Sequence, residues 1–299
     1  MNWDLSFISE KDFTDHVRST IQKYGDKLES FDLRRFNKNI VDPIKLIFDK
    51  TVYRATWEET ISNEVFRQRD KSNNNDIGYF HQRIFQYIKH CHVPDNGKEG
   101  GWDVIYRNPE GVLVDGVKVH TIYIEMKNKH NTMNSSAAGK TIIKMQHQLL
   151  EDDDCACFLV EAIAKKSQNI KWEITVDGKK KEHKLIRRLS LDQFYALVTG
   201  QEDAFYKMCM ILPSVIQKVV ESEGESLIPH DIVYDELKTI AEEANVQNKE
   251  LAFALAIYML GFSSYSGFRT LLGEETIRQL QANDRISGYI KHMIKGGEQ

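Results

Sequence analysis

Asp103, Glu125 and Lys127 are the residues from which chemistry can be read first in this sequence. Glu125 and Lys127 lie two apart in the run Tyr123-Ile124-Glu125-Met126-Lys127, which is rich in β-branched and aromatic residues. Side chains of a strand alternate with period two, so Tyr123, Glu125 and Lys127 share one face, and Ile122, Ile124 and Met126 share the other, apolar one. Asp103 follows Gly100-Gly101-Trp102 at the start of an earlier strand pattern, so the two carboxylates can meet across adjacent strands. Two carboxylates and a lysine suit metal-dependent hydrolysis of a phosphodiester. Hard oxygen ligands hold Mg²⁺ through one or two carboxylates plus substrate phosphate, the metal activates a water, and an ammonium orients that water and balances developing charge. The same pair on a solvent-facing strand also makes an ordinary ion pair. What favours the chemical reading is the Gly-Gly turn before Asp103 and the acid-free stretch 126–150, which holds Lys127, Lys129, Lys140 and Lys144.

The pattern around these residues supplies the elements that must position them. Residues 9–50 read as helical through the series Phe13, Val17, Ile21, and a second helix covers 57–69, ending before Ser72-Asn73-Asn74-Asn75-Asp76. A third helix, 77–90, aligns Phe80, Ile84, Phe85 and Ile88, and 93–101 is a loop broken by Pro94, Gly97 and Gly100-Gly101. Strands are expected at 102–106, 112–114 and 117–127, with turns at Asn108-Pro109-Glu110-Gly111 and Asp115-Gly116. A polar loop at 132–139, a helix at 140–150, a buried strand at 156–164 and a hairpin pairing 170–176 with 183–189 complete the centre. The expected fold is α/β: a mixed central sheet flanked by helices over 77–200, framed by helical regions at 1–76 and 201–299.

Of 299 residues, 41% are hydrophobic and 28% charged, which excludes a disordered or fibrous chain. The first residues lack the pattern of a secretion signal, and the longest apolar run, 251–262, falls short of the roughly 20 residues of a bilayer span. A soluble cytoplasmic protein is expected, with its four cysteines reduced because none has the spacing of a disulfide or zinc framework. The net charge of −4 argues against indiscriminate coating of nucleic acid, but it hides an uneven layout. Residues 200–299 hold 9 Lys+Arg against 15 Asp+Glu, whereas 165–188 hold 9 against 3. Local positive surface in an acidic whole fits a protein that binds a polyanion at one cleft.

Asp103…Glu125-Met126-Lys127 resembles the D…(D/E)-x-K signature of the PD-(D/E)XK nucleases. More narrowly, Ile77-Gly78-Tyr79-Phe80-His81-Gln82, Gly101-Trp102-Asp103-Val104-Ile105, the 14-residue block 123–136 and Arg188-Leu189-Ser190-Leu191-Asp192-Gln193-Phe194-Tyr195 resemble the type II restriction endonucleases that cut GGNCC. Trp102 stands where the family's name-giving proline would be, a position that varies among members. The resemblance implies a PD-(D/E)XK core and a Mg²⁺-dependent homodimeric endonuclease that cleaves both strands of double-stranded DNA at a short near-palindrome, leaving 5′ overhangs. It also implies a cytosine methyltransferase encoded nearby. Asp103 and Glu125 would be catalytic metal ligands and Lys127 the water-positioning amine. Glu64 would be an auxiliary acid on a preceding helix, and Gln146 would face the site from the helix that follows the catalytic strand.

The loop residues Lys129, His130, Asn131, Thr132, Asn134, Ser135 and Ser136 read as DNA contacts, because Asn matches adenine edges, Lys guanine, and Ser or Thr phosphate or base. Lys140, Lys144 and Lys180 of the lysine triplet 179–181 read as phosphate contacts. Tyr79, His81 and Gln82 offer a second reading helix. Two alternatives come from other classes: a nuclease of repair or branched-DNA resolution, and a non-catalytic DNA-binding regulator.

Overall fold

The computed structural model describes residues 3–25, 29–130, 133–176, 178–223, 230–243, 246–262 and 265. In chain order it forms α1 (Glu10–Gly25), α2 (Leu33–Asn37), α3 (Pro43–Val52) and α4 (Trp57–Arg83), then β1 (Cys91–His92), β2 (Val104–Val114) and β3 (Val117–Lys129). There follow α5 (Ser135–Glu151), β4 (Cys155–Ile163), β5 (Asn169–Val176), β6 (Lys179–Ser190), α6 (Leu191–Thr199), α7 (Ala204–Glu223), α8 (Val233–Glu243) and α9 (Lys249–Phe262). The chain divides into two compact units, 1–24 with 74–225 and 25–73 with 226–299. This differs from the three consecutive segments read from the sequence, since α1 joins the sheet-bearing unit and most of α4 the other.

The first unit is built on a six-stranded sheet in the order β1-β2-β3-β4-β6-β5. The β3–β4 and β4–β6 pairs are parallel and the other pairs antiparallel, so the sheet is mixed as expected. Parallel neighbours need a crossover, and α5 supplies the one between β3 and β4. The alternation along the central strands sends Ile122, Ile124, Ala156, Phe158 and Val160 to one cluster with Phe13, Val17, Phe194 and Tyr195. Tyr123, Cys157, Leu159 and Ile186 go to the opposite cluster, with Ile142 and Met145 of α5. Residues such as Ile124 and Phe158, at most 1% exposed, each contribute about 1.5–3 kcal/mol by burial. The four cysteines are free.

Three local expectations are corrected. The polar run Ser72–Asp76 does not end a helix, because α4 continues through it to Arg83. Helix propensity separates Ser, Asn and Asp from the best formers by less than about 1 kcal/mol per residue, and here Asp76 is buried and Asn128 Nδ2 donates to Asn74 O. The expected turn at 108–111 is an irregularity within the single strand β2, whose register shifts between Arg107 and Val112 while Gly111 adopts a φ of 76°. The polar loop at 132–139 is shorter than expected. Asn134 caps α5, its Oδ1 accepting from Ala137 N at 2.8 Å, so the helix starts at Ser135.

The second unit packs Phe36, Leu46, Trp57, Ile61 and Val65 with Val233, Leu237, Phe253 and Ile257 in its own core. Its α3 begins at Pro43 behind Asp42, whose Oδ1 accepts from Ile44 N and Lys45 N. Among the described residues no helix is long and apolar enough to cross a membrane.

Candidate active site

Antiparallel pairing of β2 with β3 sets Val104 against Ile124, and one step further brings Asp103 opposite Glu125. Asp103 N donates to Ile124 O at 2.9 Å, just before β2 begins. The turn that delivers it uses Gly100 and Gly101 at φ of 72° and 67°, a region that favours glycine. A Cβ on Gly100 would lie 3.2 Å from Trp102 Nε1. The indole is itself anchored, since Trp102 Nε1 donates to Gln148 Oε1 of α5 at 3.0 Å.

Each carboxylate is held by named partners. Asp103 Oδ2 accepts from Met126 N at 2.6 Å, and Gln82 Nε2 of α4 donates to both Asp103 Oδ1 and Asp103 O at 3.2 Å. Glu125 Oε1 accepts from Lys127 Nζ at 2.7 Å, and Glu125 Oε2 from Lys144 Nζ at 2.9 Å. Lys144 also donates to Gly101 O at 2.8 Å and lies 4.0 Å from the Trp102 ring centroid. This α5 lysine therefore ties Glu125 to the turn that presents Asp103.

The electrostatics separate the two acids. Burial, then the neighbouring charge of Glu125, raises the Asp103 carboxyl above its usual range, against the pull of the Met126 amide and the two lysines. Burial works the same way on Glu125, but Lys127 and Lys144 outweigh it and hold its pKa below the usual range. Two such oxygen donors, one of them raised partly by like charge, make a pair that a hard divalent cation would stabilise. The donor set fits a hard divalent cation, which Asp103 and Glu125 would hold.

Beside this pair opens a cleft of about 640 Å³, lined by Asn74, Gly78, Tyr79, His81 and Gln82 of α4, by Asp103, by 126–129 of β3 and by Ala162. His81 is kept neutral by burial, which lowers its pKa to about 4.

Residues 5–221 match the Eco47II restriction endonuclease family. The chain belongs to this family. It is 30% identical over 257 residues to the type II restriction enzyme Sau96I of Staphylococcus aureus, covering 80% of this chain and 93% of that protein. It is also 26% identical over 227 residues to the type II restriction enzyme Eco47II of Escherichia coli, covering 72% of this chain and 88% of that protein. The resemblance to type II restriction endonucleases, and with it the expectation of an endonuclease, is borne out.

In this Eco47II-family chain Asp103, Glu125 and Lys127 come together as their spacing implies, and other expected residues do not join them. Glu64 belongs to the second unit, where it is buried and bound by Arg67, with Lys45 3.6 Å away. Gln146 follows Lys144 by two positions, about 200° round the helix, and it is Lys144 that reaches Glu125. Lys180 pairs with Glu173 at 3.1 Å and Glu182 at 2.8 Å on exposed hairpin surface. Asn134 is a helix cap; Ser135, Ser136 and Lys140 are exposed on α5, and Lys129 lines the cleft. His130 lies against Glu161 and Arg188. Asn131 and Thr132 lie outside the described residues.

Sequence reasoning had not given Gln82 and Lys144 their contacts with the two carboxylates. For Lys144 a signal was present: Lys144 and Gln148, four apart, share a helix face, and both lie in the acid-free stretch 126–150 that begins beside Glu125. For Gln82 no local signal exists, because its contact with Asp103 spans 21 residues.

Proposed function

We propose that this protein is a type II site-specific endonuclease that uses Mg²⁺ to cut both strands of DNA at a short GGNCC-like sequence, leaving 5′ overhangs. The observation that carries this reading is the opposition of Asp103 and Glu125 across β2 and β3, with Lys127 bound to Glu125 on the wall of a polar cleft. A divalent cation held by Asp103 and Glu125 would supply an acidified water and neutralise phosphate charge. The chain's own residues do the rest. The Met126 amide and Gln82 fix Asp103, and Lys144 fixes Glu125. The Lys127 ammonium orients the attacking water and balances charge growing on the phosphoryl oxygens. Tyr79, Gln82, Asn128 and Lys129, which line the cleft, supply the polar groups for base edges and phosphates. Ser135, Ser136 and Lys140 extend that surface along α5.

One such site per chain cuts one strand, and a site of two-fold symmetry is most simply read by a protein of matching symmetry, so the working form is a homodimer. Host DNA would then need protection by a cytosine methyltransferase encoded nearby.

The test is digestion of a plasmid of known sequence with Mg²⁺ or with EDTA, followed by mapping of the ends. Discrete fragments ending at GGNCC-like sites with 5′ overhangs, formed only with Mg²⁺, are expected. Ends scattered over unrelated sequences, or cleavage unaffected by EDTA, would contradict the proposal.

A further inference from the structure

One buried ionic cluster is left over by this mechanism. Glu161 of β4 is 1% exposed, and β3–β4 pairing sets it directly beside Lys127. Both sit on the sheet face that carries Glu125, because Cys157, Leu159 and Glu161 alternate in step with Tyr123, Glu125 and Lys127. Adjacent strands lie about 4.8 Å apart, so Glu161 is a second carboxylate within reach of the same lysine. Lys127 nevertheless points its ammonium at Glu125, at 2.7 Å. Glu161 is engaged from the other side. Arg188 of β6 donates through Nη2 to Glu161 Oε1 and to His130 O, and His130 Nδ1 lies 2.8 Å from Arg188 Nη2 and 3.0 Å from Glu161 Oε2.

We propose that Arg188, seated against His130, acts as a brace that occupies Glu161 and so leaves the Lys127 ammonium to Glu125. A carboxylate this deep is strongly unfavourable without a cation. If Arg188 is removed, the ammonium left to join the His130 imidazole at Glu161 is that of Lys127, its direct neighbour across the β3–β4 pair. The lysine then turns across the sheet, Glu125 loses one of its two ammonium partners, and the attacking water loses its guide. Arg188 and Glu161 are thus positioning residues that act through Lys127. The inference rests on the proposed role of Lys127 and adds a reason that its ammonium is directed to Glu125.

The experiment compares Arg188→Met, the double variant Arg188→Met with Glu161→Gln, and Lys127→Met as a control on the parent reading. Single-turnover cleavage of a plasmid that the wild-type protein cuts is measured in Mg²⁺. Affinity for the same DNA in Ca²⁺ and the thermal midpoint are measured alongside. Arg188→Met is expected to slow cleavage by about tenfold or more, as loss of a supporting contact does, with DNA affinity unchanged. Neutralising Glu161 removes the competitor, so the double variant is expected to recover to within about threefold of wild type. A structural role alone would restore the thermal midpoint without this recovery of rate. Near-normal cleavage by Arg188→Met overturns the brace, and so does a double variant that is fully folded yet as slow as Arg188→Met. The second result would mean that Arg188 acts on DNA directly. Should Arg188→Met not fold, the double variant decides alone: a rate as low as that of Lys127→Met contradicts the brace. Normal cleavage by Lys127→Met would instead overturn the parent reading.

Discussion

Two lysine-rich segments, 126–150 and 165–188, look alike in the sequence and serve different kinds of acid. In the first, Lys127 and Lys144 converge on Glu125, whose side chain is 15% exposed beside a cleft. In the second, Lys171 and Lys180 converge on Glu173 and Glu182, which are 45% and 34% exposed on a hairpin surface. Both sets of acids are held below their usual range where a shift is resolved: Glu182 is lowered to about 2 by Lys180 and Lys171, and Glu125 is lowered despite its burial. The depth of the partner distinguishes the two regions. An exposed pair is screened by solvent and contributes little, whereas a half-buried pair fixes the orientation of a carboxylate on which chemistry can depend. Lysine density marks where positive charge lies along the chain, and only the burial of its counter-charge says what that charge does.

The comparison breaks most visibly at Lys144. Lys144→Met is expected to lower single-turnover cleavage by about 10–100-fold, the usual loss when a partner that orients a ligating group is removed. A rate within about threefold of wild type would place Lys144 with the surface lysines. Asn134→Ala sharpens the contrast from the structural side. Loss of the α5 cap is expected to cost about 1 kcal/mol of stability, read by chemical denaturation. No preferential loss of cognate DNA binding should accompany it, and such a loss without destabilisation would return Asn134 to base reading. Lys180→Gln is expected to have the smallest effect, changing cleavage by less than about twofold because its acids neutralise it locally. A large fall in affinity for all DNA sequences would show instead that the hairpin grips phosphate.

Much of the site was legible in the sequence because it depends on local rules. Period-two alternation placed Glu125 and Lys127 on one face of β3, and the Gly100-Gly101 turn marked where Asp103 enters. The mixed sheet followed from strands interrupted by α5. What was not legible depends on tertiary packing. Asn73, Asn74 and Asn75 read as a helix end, yet they lie inside α4, where local preference was too weak to break a long helix. Asn134 looked like a free donor, but nothing in a stretch of small residues shows that the helix starts five residues early and spends that side chain on its cap. The cross-strand position of Glu161 beside Lys127 depends on parallel register, which a single sequence does not encode locally.

The central claim is that Asp103, Glu125 and Lys127 act together on metal and water while other parts of the chain hold the DNA. It is tested most directly by measuring Glu125→Gln on one DNA fragment in two ways: single-turnover cleavage in Mg²⁺ and equilibrium binding in Ca²⁺. Losing a metal ligand removes several kcal/mol of transition-state stabilisation, so cleavage should fall by about a thousandfold or more while the fragment is still bound. Cleavage by Glu125→Gln at a rate near wild type would contradict the account.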